Sequence, residues 1–563
     1  MLMALFDLIG MRSTDMMHSL IHAHPREALR AGARGVGGYV HSGVRPLLPL
    51  LRVEVAVWAL LQSVVVWMAI ATAMLLGGCA SFDGAPDGTR TRAEILDGAQ
   101  LETSKTLGAA AATRATDDEW PADLWWKQFN DPQLNALIDE ALNDSGALNL
   151  RLAQARLRSA QAAARGAESR DLPSLDLNAS SMRERFSEHY IYPPPLGGST
   201  RTLNQATVDL RFELDFWGRN RAAIATARSQ VRVAQADAQA ARLAITTSIA
   251  RTWFQLQRLA SLRDVTLSAI RQRENVLSLA RQRFDAGLDT NAELRQAEAA
   301  LPTSRVDLAQ IDESIGLVRN QIAALLGKGP DRGRDIGTPA GKGSSAIVLP
   351  GSLPAELIGR RPDLVAARSR VEAARGQIDA AKAQFYPNIN LVASAGLLAL
   401  GASHFLDTSS RNFSAGPAVS LPIFEGGRLR ANLAGRNAEY DAAVEQYNAT
   451  LVDAVRDVAD QVVSLQAVDA QLADQELARV KTEEAYDVAV LRYKAGLSTY
   501  LTVLNAQTSV LQQQRADAEL HARILELDVA LTRALGGGYR SAAYDEVRGD
   551  AYDGAGPPPL AAR

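Results

Sequence analysis

The chain has 563 residues, 47% of them apolar, 22% charged and 6% aromatic, with a single cysteine. One cysteine excludes a disulfide scaffold and a multi-cysteine metal site. Sixty basic and 63 acidic residues leave a net charge of −3, so there is no global basic field to hold nucleic acid. Of seven histidines, four (His18, His22, His24, His41) precede the first apolar segment, leaving His189, His404 and His521. That is too few for a histidine-based catalyst, and no metal-ligand spacing, G-x-S-x-G elbow or Walker-type loop is present. Neither a metal nor an enzyme is expected.

From Val55 to Leu76 the chain is almost wholly apolar, broken by Gln62, Ser63 and Thr72 and preceded by Arg45 and Arg52. A positive flank, an apolar run and then small residues is the layout of a secretory signal. The run closes on Leu76-Gly77-Gly78-Cys79, which resembles the bacterial lipobox. The resemblance implies that residues 1–78 are a leader, that Cys79 carries a covalent lipid, and that 79–124 form a lipid-anchored linker; no other cofactor is expected. The competing reading is a transmembrane helix of about 20 residues with an ordinary buried cysteine.

Beyond this segment the chain is duplicated, and internal repeats are read before anything else. Arg283-Phe284-Asp285-Ala286-Gly287-Leu288-Asp289-Thr290 recurs as Arg492-Tyr493-Lys494-Ala495-Gly496-Leu497-Ser498-Thr499. Leu150 to Ser180 likewise aligns with Leu364 to Ser394, Pro173 falling on Pro387 and Leu177 on Leu391. Each copy reads helix, strand, strand, very long helix, turn, helix. The first copy occupies 125–327, with strands near 173–192 and 204–217, a long helix over 218–285, a tip at 285–290 and a return helix over 290–327. A connection at 328–355 follows. The second copy occupies 356–536, with strands near 387–400 and 412–424, a long helix over 427–494, a tip at 494–499 and a return helix over 499–536; a tail runs from 537 to 563.

The second strand alternates sharply. Val208, Leu210, Phe212, Leu214 and Phe216 are apolar, while Asp209, Arg211, Glu213 and Asp215 are charged. Period two with one charged face places one side against water and the other against an apolar phase. From Gly218 to about Asp285 neither proline nor a further glycine interrupts the chain, giving a helix about 100 Å long. Ile224, Ala227, Val231, Ala234, Ala238, Ala241 and Ile245 form a coiled-coil seam, matched in the second copy by Val444, Tyr447, Leu451, Ala454 and Val458. Pro302 is expected to kink the first return helix. Arg361-Pro362-Asp363 reads as a helix start, with proline in the first turn and aspartate at the positive end.

Four amphipathic strands cannot close a membrane barrel, which needs at least eight, and open edges are not tolerated in lipid. Copies must share a barrel. Eight strands are filled by side chains, so a passage requires three or more copies.

Several motifs carry a family resemblance: Trp125-Trp126 with Asp131-Pro132 and Leu134; Glu213-Leu214-Asp215-Phe216-Trp217-Gly218-Arg219; Arg361-Pro362-Asp363-Leu364; Phe385-Tyr386-Pro387; and Leu421-Pro422-Ile423-Phe424-Glu425-Gly426-Gly427-Arg428. With the two Ala-Gly-Leu tips, the chain from about Trp125 to Gly538 resembles the TolC-like outer-membrane efflux proteins, in their lipoprotein branch partnered with resistance-nodulation-division pumps. The resemblance implies a mainly α fold with a membrane β-barrel: a homotrimer with a twelve-stranded barrel, a periplasmic α-helical tunnel, and an equatorial belt from residues 97–124, 328–355 and 537–563. Asp209, Arg211, Glu213 and Asp215 would line the barrel lumen.

It further implies that the tips, Ala286-Gly287-Leu288 and Ala495-Gly496-Leu497, meet a periplasmic membrane-fusion adaptor that links the channel to an inner-membrane pump. A constriction in such relatives uses a leucine, an aspartate and an arginine just past the second tip. Leu501 matches the leucine here, but Asn505 stands where the aspartate is usual and Thr508 where the arginine is usual. A neutral hydrogen-bonding ring would replace a charged one. The leading expectation is a passive outer-membrane conduit for small molecules; an exit duct for polypeptides and a pore-less periplasmic scaffold are the alternatives.

Overall fold

The computed structural model describes residues 93–96, 101, 103, 120–143, 146–339 and 353–541. The leader 1–78, Cys79 and most of the linker to 124 lie outside the described residues, as do 340–352 and 542–563 of the expected belt.

After a short turn of 3-10 helix at Trp125–Phe129 come α1 (Pro132–Leu142) and α2 (Leu148–Glu168), then β1 (Ser174–Arg185) and β2 (Thr200–Leu214). The long helix α3 (Arg219–Asp285) and its return α4 (Asn291–Leu325) complete the first copy. One helical turn at Asp331–Arg334 precedes the second. That copy holds α5 (Leu353–Arg360), α6 (Pro362–Ala383), β3 (Asn388–Leu400), β4 (Arg411–Ser420), α7 (Arg428–Lys494) and α8 (Tyr500–Ala534). Helices α3 and α7 are both 67 residues long, and α4 and α8 both 35. The long elements of the two copies therefore match residue for residue.

The strands form one antiparallel sheet in the order β1-β2-β3-β4. Its central pairing, β2 with β3, joins the two copies, and β1 and β4 are left as edges. Two strands are shorter than the sequence suggests. β1 stops at Arg185 rather than near Tyr192, because Phe186 turns inward against Tyr192 (ring centroids 5.0 Å apart) and Pro193 to Pro195 cannot donate to a ladder. β4 stops at Ser420 rather than near 424: Pro422 lacks a donor, and Gly426 and Gly427 both adopt positive φ to turn the chain into α7.

Asp131 shows why Asp-Pro begins α1. One carboxylate oxygen accepts the Gln133 and Leu134 N–H groups (2.9 and 3.1 Å), and the other accepts Nε1 of Trp253 on α3 (2.8 Å). This cap pins the Trp125/Trp126 core cluster, which includes Leu134, Ile138, Ile249 and Phe254, to the long helix.

The seam of α7 is buried as expected: Val444, Tyr447, Leu451, Ala454 and Val458 are at most 4% exposed. The seam of α3 differs. Ile224 and Ile245 are buried, but Ala227, Val231, Ala234, Ala238 and Ala241 are only half-buried, and Ser229, Val233 and Ala236 take the inner positions. This part of α3 packs against α2 and α6 at once, so its inner face is set by two neighbours rather than one. Pro302 sits within an uninterrupted α4. The carbonyls around it are engaged by the Thr303 and Ser304 hydroxyls and by Arg273, whose Nη1 donates to Ala300 O at 2.8 Å.

Candidate functional site

The residues singled out in the sequence fall in three regions: the tips, the face just beyond the second tip, and the sheet.

At each tip the long helix reverses over Ala-Gly-Leu. Gly287 and Gly496 have φ of 73° and 77°, a left-handed conformation that costs glycine nothing. The N–H groups of Leu288 and Leu497 bond back to Arg283 O and Arg492 O, both at 2.8 Å. Ala286 and Ala495 close the helices, and Leu288 and Leu497 project into solvent, 64% and 69% exposed. Thr290 starts α4 with a capping box to Glu293.

The tips are not equivalent. Arg283 Nε donates to both oxygens of Asp289 (3.1 and 3.2 Å), and the Tyr493 hydroxyl from the other tip donates to Asp289 Oδ2. The Arg283 guanidinium also lies over the Tyr493 ring, 4.7 Å from its centroid, and Tyr500 packs edge-on against Tyr493. Burial and the hydrogen bond to Asp289 hold the Tyr493 phenol well above the usual tyrosine range. Within the tip core of Val276, Ala280, Leu294, Tyr493 and Val503, this is a shielded charged pair that ties one hairpin to the other. In the sequence these residues read only as members of a repeat. A signal is nevertheless present: Phe284 becomes Tyr493 and Asp289 becomes Ser498 across the copies, two polar changes that turn out to face each other.

Beyond the second tip, Leu501, Asn505 and Thr508 share the exposed face of α8, while Val503, Gln507 and Val510 are buried on the other. The Thr508 and Ser509 hydroxyls donate back to Leu504 O and Asn505 O (2.9 and 3.2 Å). From Tyr500 to Gln514 the helix has no Asp, Glu, Lys or Arg, about 22 Å of uncharged surface at 1.5 Å per residue. The matching part of α4 carries Glu293, Arg295, Glu298 and Arg305.

In an antiparallel sheet, residues directly opposite share a face. One face of this sheet runs through Leu175/Leu210/Ala393/Ala415, Leu177/Val208/Ala395/Phe413 and Phe212/Leu391/Pro417. Leu175, Leu177 and Phe413 are 68%, 74% and 84% exposed, an apolar surface that only a nonpolar phase or another chain would cover. Asp209, Arg211 and Glu213 lie on the opposite face with Asp176, Asn178 and Ser394. Asn178 Nδ2 donates to Asp209 at 2.7 Å. Asp215, expected beside them, stands past the end of β2: its carboxylate accepts the Arg221 N–H (2.9 Å) and starts α3. Glu213 is paired with Arg219 at 2.7 Å. At this junction Trp217 stacks on Tyr386 (4.6 Å between centroids) and donates to Pro387 O at 2.9 Å, so two of the sequence motifs meet. No helix among the described residues is long and apolar enough to cross a membrane.

The sequence profile of the family described as outer membrane efflux protein matches residues 137–328 and 353–537, covering both copies of the repeat. The chain belongs to the outer membrane efflux protein family. It is 39% identical over 375 residues to the fusaric acid resistance protein FusA of Burkholderia cepacia, covering 66% of this chain and 68% of that one. It is 31% identical over 444 residues to the multidrug resistance outer membrane protein MdtP of Shigella flexneri, covering 76% and 89%. Among solved structures, the outer membrane protein VceC from Vibrio cholerae aligns with a TM-score of 0.70 at 40% identity, over 75% of this chain and all of that one. The outer-membrane channel OprN aligns with the same TM-score at 27% identity, over 80% and 97%. The two-copy architecture is thus that of an outer-membrane efflux channel, a transport protein.

Proposed function

We propose that three copies of this chain form the outer-membrane conduit of a tripartite efflux system, carrying small toxic molecules from the periplasm to the exterior. The sheet is the observation that carries this reading. It has two free edges, one apolar face and one charged face, and its strands run directly into helices about 100 Å long. Unpaired edges in lipid are prohibitive, and joining β4 of one copy to β1 of the next satisfies them. Three sheets make twelve strands, wide enough for a passage, with Asp209, Arg211 and Glu213 toward the lumen.

The neutral face of α8 then lines the periplasmic mouth. Leu501 narrows it, and Asn505 and Thr508 surround it with amide and hydroxyl groups, so it lacks the field of a carboxylate ring. Leu288 and Leu497 offer apolar anchors to a periplasmic membrane-fusion adaptor, through which an inner-membrane resistance-nodulation-division pump supplies the energy. Cys79 carries a lipid anchor. This is supported by the run of residues 93–96 along α7: Ala93 N–H reaches Asp441 and Leu96 N–H reaches Asn448, so this segment descends from the strand end of the helix.

The test is compound accumulation in a deletion strain with and without the restored gene, over dyes, detergents, antibiotics, metal ions and aromatic acids including fusaric acid. Sensitisation to one class, reversed by complementation, is expected. Full resistance in the deletion strain, with the partner pump expressed, would count against the proposal.

A further inference from the structure

Nine charged side chains lie on the four strands, and the register sorts them by face. All four carboxylates (Asp176, Glu184, Asp209, Glu213) share the polar face with Arg201 and Arg211. The apolar face has no carboxylate. It carries three arginines, Arg183, Arg185 and Arg411, and all three are exposed. Each lies at the strand end away from the helices. Arg183 and Arg185 stand at the very end of β1, whereas Arg411, at the start of the shorter β4, is level with Ala179 through the pairs Arg411–Leu397, Leu397–Ala206 and Ala206–Ala179.

The local pairing makes the asymmetry sharper. On the polar face Glu184 stands opposite Arg201, an internal compensation. On the apolar face Arg183 faces Thr202 and Arg185 faces Thr200. Arg183 and Arg411 have no carboxylate partner among the described residues. Arg185 approaches only Glu188 of the adjoining loop, at 3.6 Å, with both side chains more than 60% exposed; an exposed pair of this kind contributes little.

We propose that Arg183, Arg185 and Arg411 form a binding site for the phosphate groups of an outer-leaflet glycolipid of the lipid A type. The inference rests on the trimeric barrel proposed above, which turns the apolar face to lipid. Eight residues separate Leu175 from Arg183, about 26 Å along the strand. At a strand tilt of about 40° that is roughly 20 Å of height, close to the ~25 Å apolar band of such barrels. The Arg183 and Arg185 guanidiniums therefore stand at the outer margin of the hydrocarbon, where a headgroup phosphate lies. Closing the barrel sets β4 of one copy beside β1 of the next, and the site requires the stagger that closure imposes between strands to carry Arg411 from the level of Ala179 to the neighbouring Arg183 and Arg185 at each seam. Three like charges at a seam repel one another, and a phosphate dianion relieves this through bidentate, charge-assisted hydrogen bonds that a guanidinium fork suits.

The experiment uses the full-length trimer in nanodiscs and counts retained lipid by native mass spectrometry, with bisphosphorylated lipid A as the probe and dephosphorylated lipid A as its control. Bisphosphorylated lipid A should be retained at least tenfold better. The triple variant Arg183→Gln, Arg185→Gln, Arg411→Gln should lose that preference, and Arg201→Gln on the polar face should keep it. Equal retention of the two lipids by the unaltered trimer would overturn the proposal, and this arm stands even where the triple variant fails to assemble. Displacement of lipid A by an equal concentration of inorganic phosphate would also overturn it, since the site would then be one for bare anions. The underlying orientation is tested separately: Phe413→Trp should be quenched by brominated lipid, and a lack of quenching would remove the barrel reading itself.

Discussion

The Tyr493 phenol of the second tip donates its hydrogen bond to Asp289 of the first, 204 positions earlier in the chain. Asp289 thereby has two donors, Arg283 from its own hairpin and Tyr493 from the other, and its side chain is only 5% exposed. The two hairpins cannot separate without uncovering a charged group.

Tyr493→Phe removes one of those donors while keeping the ring that packs on Arg283 and Tyr500. A hydrogen bond to a charged group is worth about 1.5–3 kcal/mol, so the hairpins should part more readily. In planar bilayers the expected outcome is a higher open probability, with the melting temperature of the assembled trimer little changed. Gating identical to that of the unaltered protein would mean that the tips do not move relative to each other on opening.

Asn505→Asp puts a carboxylate on the uncharged face of α8. If that face surrounds the mouth, three carboxylates appear there and attract cations. The reversal potential under a salt gradient should shift toward cation preference, and the shift should shrink as ionic strength rises. An unchanged reversal potential would place Asn505 away from the passage.

Arg361 does more than begin a helix. Its guanidinium is buried, bonds to Asp363 at 2.6 Å, approaches Asp457 at 3.5 Å, and donates to Ala454 O and Ala534 O at 3.4 and 3.2 Å. It joins the start of α6 to α7 and to the end of α8. Arg361→Ala leaves these acceptors without their donor; Asp363 and Asp457 keep 43% and 44% of their side chains exposed, so the loss is that of hydrogen bonds made by a charged group, about 1.5–3 kcal/mol. Thermal unfolding of the variant should fall well below that of the unaltered protein, whereas an exposed pair such as Arg456 with Asp453 should cost about 1 kcal/mol or less. Equal effects from the two would refute the role of Arg361 as a clasp.

The same clasp predicts acid sensitivity. Burial alone would raise the Asp363 carboxyl, but the hydrogen bond and charge of Arg361 outweigh it and hold the group below the usual carboxylate range. A carboxyl lowered in the folded state contributes stability above its unfolded value of about 3.9 and loses it as pH falls through the folded value. Thermal stability should therefore decline on acidification below about pH 4, and Asp363→Asn should flatten that decline. An equally steep acid decline in the variant would assign it to other carboxylates.

Much of the architecture is legible in the amino-acid sequence. Duplication, the length of the long helices, the Ala-Gly-Leu reversals and the alternation of β2 are local or periodic properties, written in neighbouring residues. Where the fold departs from those patterns, a packing or capping contact outside the period intervenes. The α3 seam turns because α2 and α6 press on it together. β1 ends early because Phe186 packs under Tyr192, and Asp215 leaves the strand to begin α3.

By itself, then, the sequence determined the repeated unit, its helices and reversals, and the two-faced strands, because hydrophobic period and turn chemistry act over a few residues. Only the tertiary structure decided which charges meet. Asp289 with Tyr493, Arg361 with Ala454 and Ala534, and the gathering of Arg183, Arg185 and Arg411 on one sheet face all depend on register and packing between segments far apart in the chain. No local pattern records those distances.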